Sequence, residues 1–212
     1  MNEKPRKFRR VDPDLRRETL IDAALRCLER EGHDGLSVRK IAAEAGVSVG
    51  LINHHYRSID LLIAHAYESL ADSIMASVIA TVDQAEATPR ARLTAFFRAS
   101  FSPPMLDPAL LGVWVVFWSM IRHSAAMQSV HDRIYLDYRA RLEADLVALA
   151  ETEGLPQGAC RLIATGLAAL LDGAWLEWCL NPDNFSPEDG VALCESWVDG
   201  FVATGFPRLA PP

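Results

Sequence analysis

The chain has 212 residues, enough for one or two domains with a substantial core, and half of them are hydrophobic, which excludes a disordered protein. Its longest apolar run, around residues 110–117, is far shorter than the roughly 20 residues that span a bilayer, and no apolar segment follows the charged N-terminus as in a secretory signal. Its four cysteines lie far apart without a CxxC pair, so neither a zinc site nor disulfides are implied. We therefore expect a reduced, cytoplasmic protein that does not enter a membrane.

Charge is distributed unevenly along the chain. The net charge is −7, but residues 1–60 carry 12 Lys and Arg against 10 Asp and Glu, whereas residues 61–212 carry 9 against 18. The split predicts two functions, with the basic N-terminal part as the candidate to contact an anionic partner. Residues 1–13 are predicted to be a flexible arm that either enters a DNA minor groove or only aids solubility. Its basic side chains are Lys4, Arg6, Lys7, Arg9 and Arg10.

Helical periodicity continues along the whole chain, without strand-like alternation or an internal repeat. A first helix is predicted at about 15–30, with Gly32 suited to close it. Ser37 and Ser48 are good N-caps for a second and a third helix, and the short third helix ends near Tyr56. Further helices are predicted at about 60–84, 89–101, 108–123, 127–152, 157–180 and 187–204. The fold class is therefore all-α, with about nine helices.

The second and third helices, over residues 37–56, have the pattern of a helix-turn-helix motif. Gly46 can supply the left-handed backbone of the turn, and Ser48 caps the third helix with its N-terminus open toward phosphate. If Ile52 and Tyr56 face the core, the opposite side forms an exposed short helix that suits a major groove. The side chains expected to contact DNA are Ser37, Ser48, Val49, Leu51, Asn53, His54, His55 and Arg57.

The adjacent histidines, His54 and His55, have two interpretations. Adjacent residues on a helix point about 100° apart, so they are poorly placed to share one metal ion. DNA contact is therefore favoured over metal binding, and no metal site is expected. Asn53 and His54 could contact either a base edge or a phosphate, and for His55 a phosphate is favoured.

The segment SVRKIAAEAGVSVGLINHHYRSIDLL resembles the DNA-binding signature of the TetR-type repressors. The resemblance implies a DNA-binding domain at 14–60 and a ligand-sensing and dimerisation domain at 61–212. Two positions depart from the family: Ile59 stands where a phosphate-gripping Lys is usual, and His55 where a Tyr is usual. Arg57 could replace the lost cation. The matching residues are Ile41, Ala42, Ala45, Gly46, Val47, Ser48, Gly50, Ile52 and Tyr56.

Tryptophan is confined to the second half of the chain, beyond residue 110. Trp114 and Trp118 are four apart on one helical face, with Phe117 close to that face, and Asp172 and Trp175 are three apart on another helix. A carboxylate beside indole rings suits a quaternary ammonium ion, because the ring faces attract the cation. Packing in the core or in a dimer interface is the alternative, and it is the commoner one for tryptophans at this spacing.

The segments LLGVWVVFWSMIRHSAAMQSVH and GLAALLDGAWLEWCL resemble the C-terminal domain of the choline-sensing, BetI-like repressors of the glycine-betaine pathway. The resemblance covers about residues 14–200. It implies a ligand-responsive repressor without a cofactor that senses choline or a related small cation and controls choline-to-betaine genes. The alternative is a TetR-type repressor of another pathway with a different effector. The candidate ligand-binding residues are Trp114, Phe117, Trp118, Asp172 and Trp175.

The last two predicted helices carry candidate dimer surfaces, as in the TetR family. One surface is a strip of small residues and the other an apolar face, and together they predict a homodimer that reads a palindromic operator. Packing within one chain is the alternative. The small residues are Gly166, Ala169 and Gly173, and the apolar ones are Val191, Trp197, Val198 and Phe201.

Two other classes of function fit less well. A helical enzyme would need a nucleophile paired with a base, a phosphate-binding loop or metal-ligand spacing, and none is evident. A nucleoid protein that binds DNA without a ligand would bind with little preference for sequence. The acidic, aromatic-rich second half of the chain argues against that class.

Overall fold

A computed structural model of the protein describes residues 13–204. The basic arm predicted at 1–13 therefore lies almost wholly outside the described residues. Within the described range every regular element is helical, which confirms the predicted all-α class. The nine α-helices are α1 Pro13–Glu31, α2 Val38–Glu44, α3 Val49–His55, α4 Ile59–Val82, α5 Pro89–Ser100, α6 Pro108–Ile121, α7 Ala125–Glu153, α8 Cys160–Leu180 and α9 Pro187–Thr204. Short 3₁₀ helices at Gly32–Gly35 and Gln157–Ala159 follow α1 and precede α8.

Local chemistry sets where most of these helices begin. Seven of them start after a Ser, Thr or Asp whose side-chain oxygen accepts a backbone N–H from the first turn. Each such cap is worth about 1 kcal/mol, so the helix starts are readable from the sequence to within a residue or two. The capping residues are Ser37, Ser48, Ser58, Thr88, Asp107, Ser124 and Ser186.

Helix α4 joins the two halves of the protein. It packs against α1 at one end and against α5 and α7 along the rest of its length. The predicted domain boundary at residues 60–61 falls in its first turn. Because α4 is one continuous helix with buried residues from Leu62 to Val82, it connects the helix-turn-helix to the second half of the protein without a break.

Helices α8 and α9 pack on each other within the chain. Val198 and Phe201 are fully buried, and Trp197 lies so close to Gly166 that a Cβ there would be 2.7 Å from the indole. The apolar face predicted to form a dimer contact is therefore used largely inside the chain, because α8 covers it. Exposed on α8 and α9 are Ala169 and Gly173, which belong to the predicted strip of small residues, and three leucines, Leu162, Leu180 and Leu193.

The segment Gln157–Leu180 is long and apolar enough to cross a bilayer by length and composition. In the protein it packs against α7 and α9, and eight of the residues of α8 are buried there. Core helices of globular bundles have the same composition, because they are apolar on more than one side.

Candidate functional sites

The turn between α2 and α3 has the conformation that the sequence predicts. Gly46 adopts a φ of +65°, the left-handed region that L side chains rarely occupy. A Cβ at this position would meet nothing within 4 Å, so backbone conformation, not space, requires the glycine. The Val47 N–H donates to the Ala42 carbonyl at 2.9 Å, which closes the end of α2. The chain is thereby turned directly into α3.

Helix α3 separates buried from exposed side chains. Ile52 and Tyr56 are buried, as predicted, against the core that includes Ile41. Asn53 and His54 project into solvent. Val49 and Arg57 are also exposed, and Leu51 and His55 are half-buried. The exposed polar surface is short, as a helix that enters a major groove requires.

Ser37 and Ser48 act first as helix caps. Ser37 Oγ accepts the Lys40 N–H at 3.2 Å, and Ser48 Oγ accepts the Leu51 N–H at 3.3 Å. Capping uses a hydroxyl as an acceptor, so each O–H remains able to donate to a phosphate. Their structural role and the predicted DNA contact are therefore compatible.

The histidine pair differs in environment between its two members. The rings lie edge to face, with centroids 5.4 Å apart. Partial burial lowers the pKa of His55, and the positive field of His54 and of Arg17 and Arg16 lowers it further. A neutral His55 can exchange a hydrogen bond with a phosphate but adds no fixed positive charge.

Ile59, at the position where TetR-type repressors usually carry a lysine, contacts the core. Ile59 is the first residue of α4 and packs, half-buried, against the hydrophobic core. Positive charge is instead available from Arg57 and from Arg39, which is exposed on α2 and forms no ion pair within the described part of the chain. Sequence reasoning missed Arg39. Its neighbour Lys40 forms an ion pair with Glu31. The sequence alone does not show which of the two adjacent cations is paired within the chain and which is available to a phosphate.

A cavity of about 110 Å³ lies in the second half of the protein, between α4, α5, α6, α7 and α8. Aliphatic side chains, mostly from α4, form one side of it. Aromatic side chains form much of the rest: Tyr67, Phe96, Trp114, Trp118, Tyr135, Tyr138 and Trp175. A cavity of this kind can hold a small ligand in an apolar, aromatic environment.

The cavity brings together four of the five predicted ligand-binding residues. Trp114, Trp118, Asp172 and Trp175 all line it. Phe117 does not: it is fully buried, with its ring 4.9 Å from that of Tyr67. Sequence reasoning missed the tyrosines of the wall, because spacing assigns a residue to a face of one helix but does not say which helices face one another.

Asp172 gives the cavity its charge. It is the one carboxylate among the described residues that line the cavity, and no Lys, Arg or His accompanies it there. The Tyr135 hydroxyl donates to Asp172 Oδ2 at 2.9 Å, while Oδ1 has no hydrogen-bond partner among the described residues. Burial raises the pKa of Asp172 to about 6, although the bond from Tyr135 opposes the rise. A half-buried carboxylate with one oxygen free of protein partners can hold a cation.

One of the three indoles in the cavity wall is anchored by a hydrogen bond, and the other two lie ring beside ring. Trp175 Nε1 donates to the Met105 carbonyl at 3.1 Å, which anchors the ring to the loop before α6. The rings of Trp114 and Trp118 are nearly parallel at 6.4 Å. Fixed aromatic faces next to Asp172 combine the two attractions that a desolvated organic cation needs, ring quadrupoles and a formal negative charge.

Two hydrogen bonds and one ring contact connect Asp172 to α4. The Tyr135 ring, whose hydroxyl bonds Asp172, lies 4.3 Å from the His131 ring, and His131 Nδ1 bonds the Tyr67 hydroxyl at 2.9 Å. Burial raises the pKa of Tyr67 and lowers that of His131, so both groups are neutral, and the tautomer of His131 sets which of them donates. Tyr67 belongs to α4 and also lines the cavity.

Comparison with known proteins identifies both halves. Residues 20–66 match the bacterial regulatory proteins of the tetR family, and residues 89–203 match the C-terminal domain of the BetI-type transcriptional repressors. The HTH-type transcriptional regulator BetI of Paraburkholderia phymatum is 30% identical over 190 residues, which cover 90% of this chain and 94% of that protein. BetI of Pectobacterium carotovorum is 31% identical over 189 residues, which cover 87% and 93%.

Solved structures share the fold. A transcriptional regulator from Pseudomonas aeruginosa PAO1 superposes with a TM-score of 0.87 at 48% identity, covering 94% of this chain and 96% of that one. A regulator from Saccharomonospora viridis, crystallised with choline, superposes with a TM-score of 0.71 at 19% identity, covering 90% and 97%. The fold, the sequence match over both halves and the helix-turn-helix agree. The chain belongs to the TetR family of transcriptional regulators and, within it, to the BetI-type repressors, which are DNA-binding proteins and not enzymes.

Proposed function

We propose that this protein is a cytoplasmic repressor that senses choline or a closely related quaternary ammonium ion and controls genes that convert choline to glycine betaine. The observation that carries the proposal is a half-buried carboxylate, Asp172, among the aromatic rings of the cavity, where it is the one carboxylate of the described lining residues. The names of the BetI relatives and the choline bound to the Saccharomonospora viridis regulator support the same class of ligand.

The charge of the cavity favours some members of this class over others. Choline and betaine aldehyde carry one positive charge, which Asp172 neutralises while the indoles of Trp114, Trp118 and Trp175 surround the methyl groups. A desolvated cation–π contact is worth about 2 kcal/mol. Glycine betaine carries a carboxylate as well, and no cationic side chain among the described lining residues would receive it. We expect it to bind at least about tenfold more weakly, because a buried unpaired charge is costly.

DNA binding is assigned to α3, with Asn53 and His54 as the side chains that reach base edges. Arg57 and Arg39 are assigned to phosphates, because both are exposed and positively charged. A homodimer would place two α3 helices about one turn of DNA apart and read a palindromic site. The surface proposed for that dimer is the exposed stripe on α8 and α9 formed by Leu162, Ala169, Gly173, Leu180 and Leu193.

Helix α4 is the element that couples the two sites. Its side chains form part of the cavity wall, and its first turn follows the recognition helix by four residues. A ligand that repositions Tyr67 would therefore shift α4 and move the two recognition helices out of register with successive grooves. A coupling of about 1–3 kcal/mol would change operator affinity roughly 5- to 150-fold.

Titration of tryptophan fluorescence with choline, betaine aldehyde and glycine betaine tests the ligand assignment. We expect saturable binding of choline, and a loss of at least about tenfold in Asp172→Asn because the cation loses its counter-charge. Asp137→Asn is the matched control, since Asp137 is an exposed carboxylate on α7. A flat response of the wild-type protein to all three compounds would rule out this class of effector.

A further inference from the structure

Besides the carboxylate of Asp172, the cavity wall contains a second polar group, a hydroxyl without a protein partner. Four side-chain hydroxyls lie in its wall, those of Tyr67, Ser100, Tyr135 and Tyr138. Three already donate or share a hydrogen bond: Tyr67 with His131, Ser100 with the Phe96 carbonyl at 2.8 Å, and Tyr135 with Asp172. The Tyr138 hydroxyl has no hydrogen-bond partner among the described residues.

Tyr138 is surrounded by protein but keeps some accessible surface. Its ring stacks on Phe96 with centroids 5.9 Å apart and meets Tyr135 edge to face at 6.1 Å. Part of the side chain nevertheless remains accessible. The hydroxyl has no partner and is not fully buried among the described residues, so it contributes to this accessible surface. Since protein surrounds the ring and the side chain lines the cavity, this accessible surface opens into the cavity.

The hydroxyl is also close to the charged group. Tyr138 lies one helical turn beyond Tyr135 on α7, so both project from the same face. Burial raises the pKa of Tyr138 well above its ordinary value, and the negative charge of Asp172 raises it further. The phenol therefore stays protonated over the whole working pH range, as a hydrogen-bond donor beside the carboxylate.

We propose that Tyr138 is a specificity-determining residue whose hydroxyl donates a hydrogen bond to an oxygen atom carried by the ligand, next to the cationic group held at Asp172. The inference rests on the proposed function, since it places a second contact in the same cavity. It narrows the ligand from quaternary ammonium ions in general to those with an uncharged oxygen close to the nitrogen. Simple tetraalkylammonium ions would leave the phenol without a partner.

The size of the discrimination follows from the energetics of one hydrogen bond. A partly buried bond between uncharged groups contributes about 1 kcal/mol, which corresponds to roughly fivefold in affinity. A ligand of the same shape without the oxygen forfeits this contribution and also leaves the donor unpaired. The wild-type protein should therefore bind choline about fivefold to tenfold more tightly than ethyltrimethylammonium, which lacks only the hydroxyl group.

Calorimetric titration of both ions into the wild-type protein, Tyr138→Phe and Tyr135→Phe tests the assignment. In Tyr138→Phe the ratio of the two affinities should fall to near one. In Tyr135→Phe, the matched control, both affinities should change together and the ratio should persist, because that hydroxyl serves Asp172 and not the ligand oxygen. Binding of either ion also reports that a variant is folded.

Two results would overturn the proposal while leaving the proposed function intact: a wild-type ratio near one, or a ratio in Tyr138→Phe equal to that of the wild type. If the wild-type protein binds neither choline nor ethyltrimethylammonium, the role of Tyr138 and the proposed function are both overturned. The absence of heat for both ions identifies this outcome.

Discussion

The surface proposed to bind DNA and the cavity proposed to bind the ligand are built in opposite ways. The first is made by one continuous segment, residues 37–58, in which serine caps and a left-handed glycine fix two short helices and leave Asn53 and His54 exposed. The second is assembled from five helices, with wall residues as distant in sequence as Tyr67 and Trp175. A locally determined surface keeps its shape when the helix that carries it moves. A cavity between helices changes shape whenever one of them moves, which is the property a sensor needs.

The largest effect on operator binding is expected when the exposed polar side chains of α3 are removed. Asn53→Ala combined with His54→Ala should weaken operator binding by about 100-fold if each contributes a base contact of roughly 1–3 kcal/mol. Because both side chains are exposed, the thermal unfolding midpoint should stay within the error of the wild type. Gel-shift titration measures the affinity, with Asn184→Ala in an exposed loop as control. An unchanged affinity would mean that α3 does not read the operator.

The cavity should respond to pH through one carboxylate, Asp172, which lines it. The pKa of Asp172 is raised from its ordinary 3.8 to about 6, so a cation meets a carboxylate only above that pH. Affinity for choline should fall about tenfold from about pH 7.5 to about pH 5, since one pH unit below a pKa leaves roughly a tenth of the group ionised. In the ligand-free protein the sign is opposite for stability: the protonated form is favoured in the folded state, so this group's contribution to the unfolding free energy falls as pH rises through about 4 to 6.

Titrations of choline over this pH range, repeated with Asp172→Asn, check the predicted pH dependence of binding. The variant should bind weakly and lose the pH dependence. A wild-type affinity that rises as the solution is acidified would contradict the assignment of Asp172 as the counter-charge.

The connection between the two regions can be tested without removing either. Tyr67→Phe deletes the hydroxyl that bonds His131 at 2.9 Å and keeps the ring in the cavity wall. If that bond belongs to one of the two positions of α4, its loss of about 1 kcal/mol should change the ratio of operator affinities without and with choline about fivefold. Ser73→Ala, at an exposed position on the same helix, should leave the ratio as it is. A ratio unaffected by Tyr67→Phe would place the coupling elsewhere.

The smallest expected effect concerns the position where the family's lysine is absent. Ile59→Lys should restore a phosphate contact, because a lysine stem can cover the core that Ile59 now packs on while its ammonium group reaches water. The slope of log affinity against log salt should steepen by about 0.9 for one added phosphate contact. Ile59→Met is the apolar control and should keep the wild-type slope. An unchanged slope in Ile59→Lys would show that α4 begins too far from the DNA backbone.

The same contrast explains how much the sequence could predict. The turn at Gly46, the caps at Ser37 and Ser48 and the buried pair Ile52 and Tyr56 depend on neighbours within a few residues, and each was predicted correctly. Helix starts followed from their caps. Trp114, Trp118, Asp172 and Trp175 could be placed on faces of their helices, and those faces do meet.

What the sequence did not predict depends on which helices come together. Phe117 shares the apolar face of α6 but lies behind Tyr67, and no periodicity distinguishes the first layer of a wall from the second. Tyr135 and Tyr138 belong to a long helix with weak amphipathic character, so nothing marked their side as facing a cavity. The apolar side of α9 was ambiguous between a partner chain and α8, and Trp197 over Gly166 decides that the chain itself covers it.

One measurement tests the central claim most directly: the affinity for choline of the free protein and of the protein saturated with operator DNA, determined by calorimetry at one pH and salt concentration. We expect operator DNA to weaken choline binding by the same factor by which choline weakens operator binding, roughly 5- to 150-fold. Equal choline affinities in the two states would contradict it, because a ligand indifferent to the DNA-bound state cannot release the DNA.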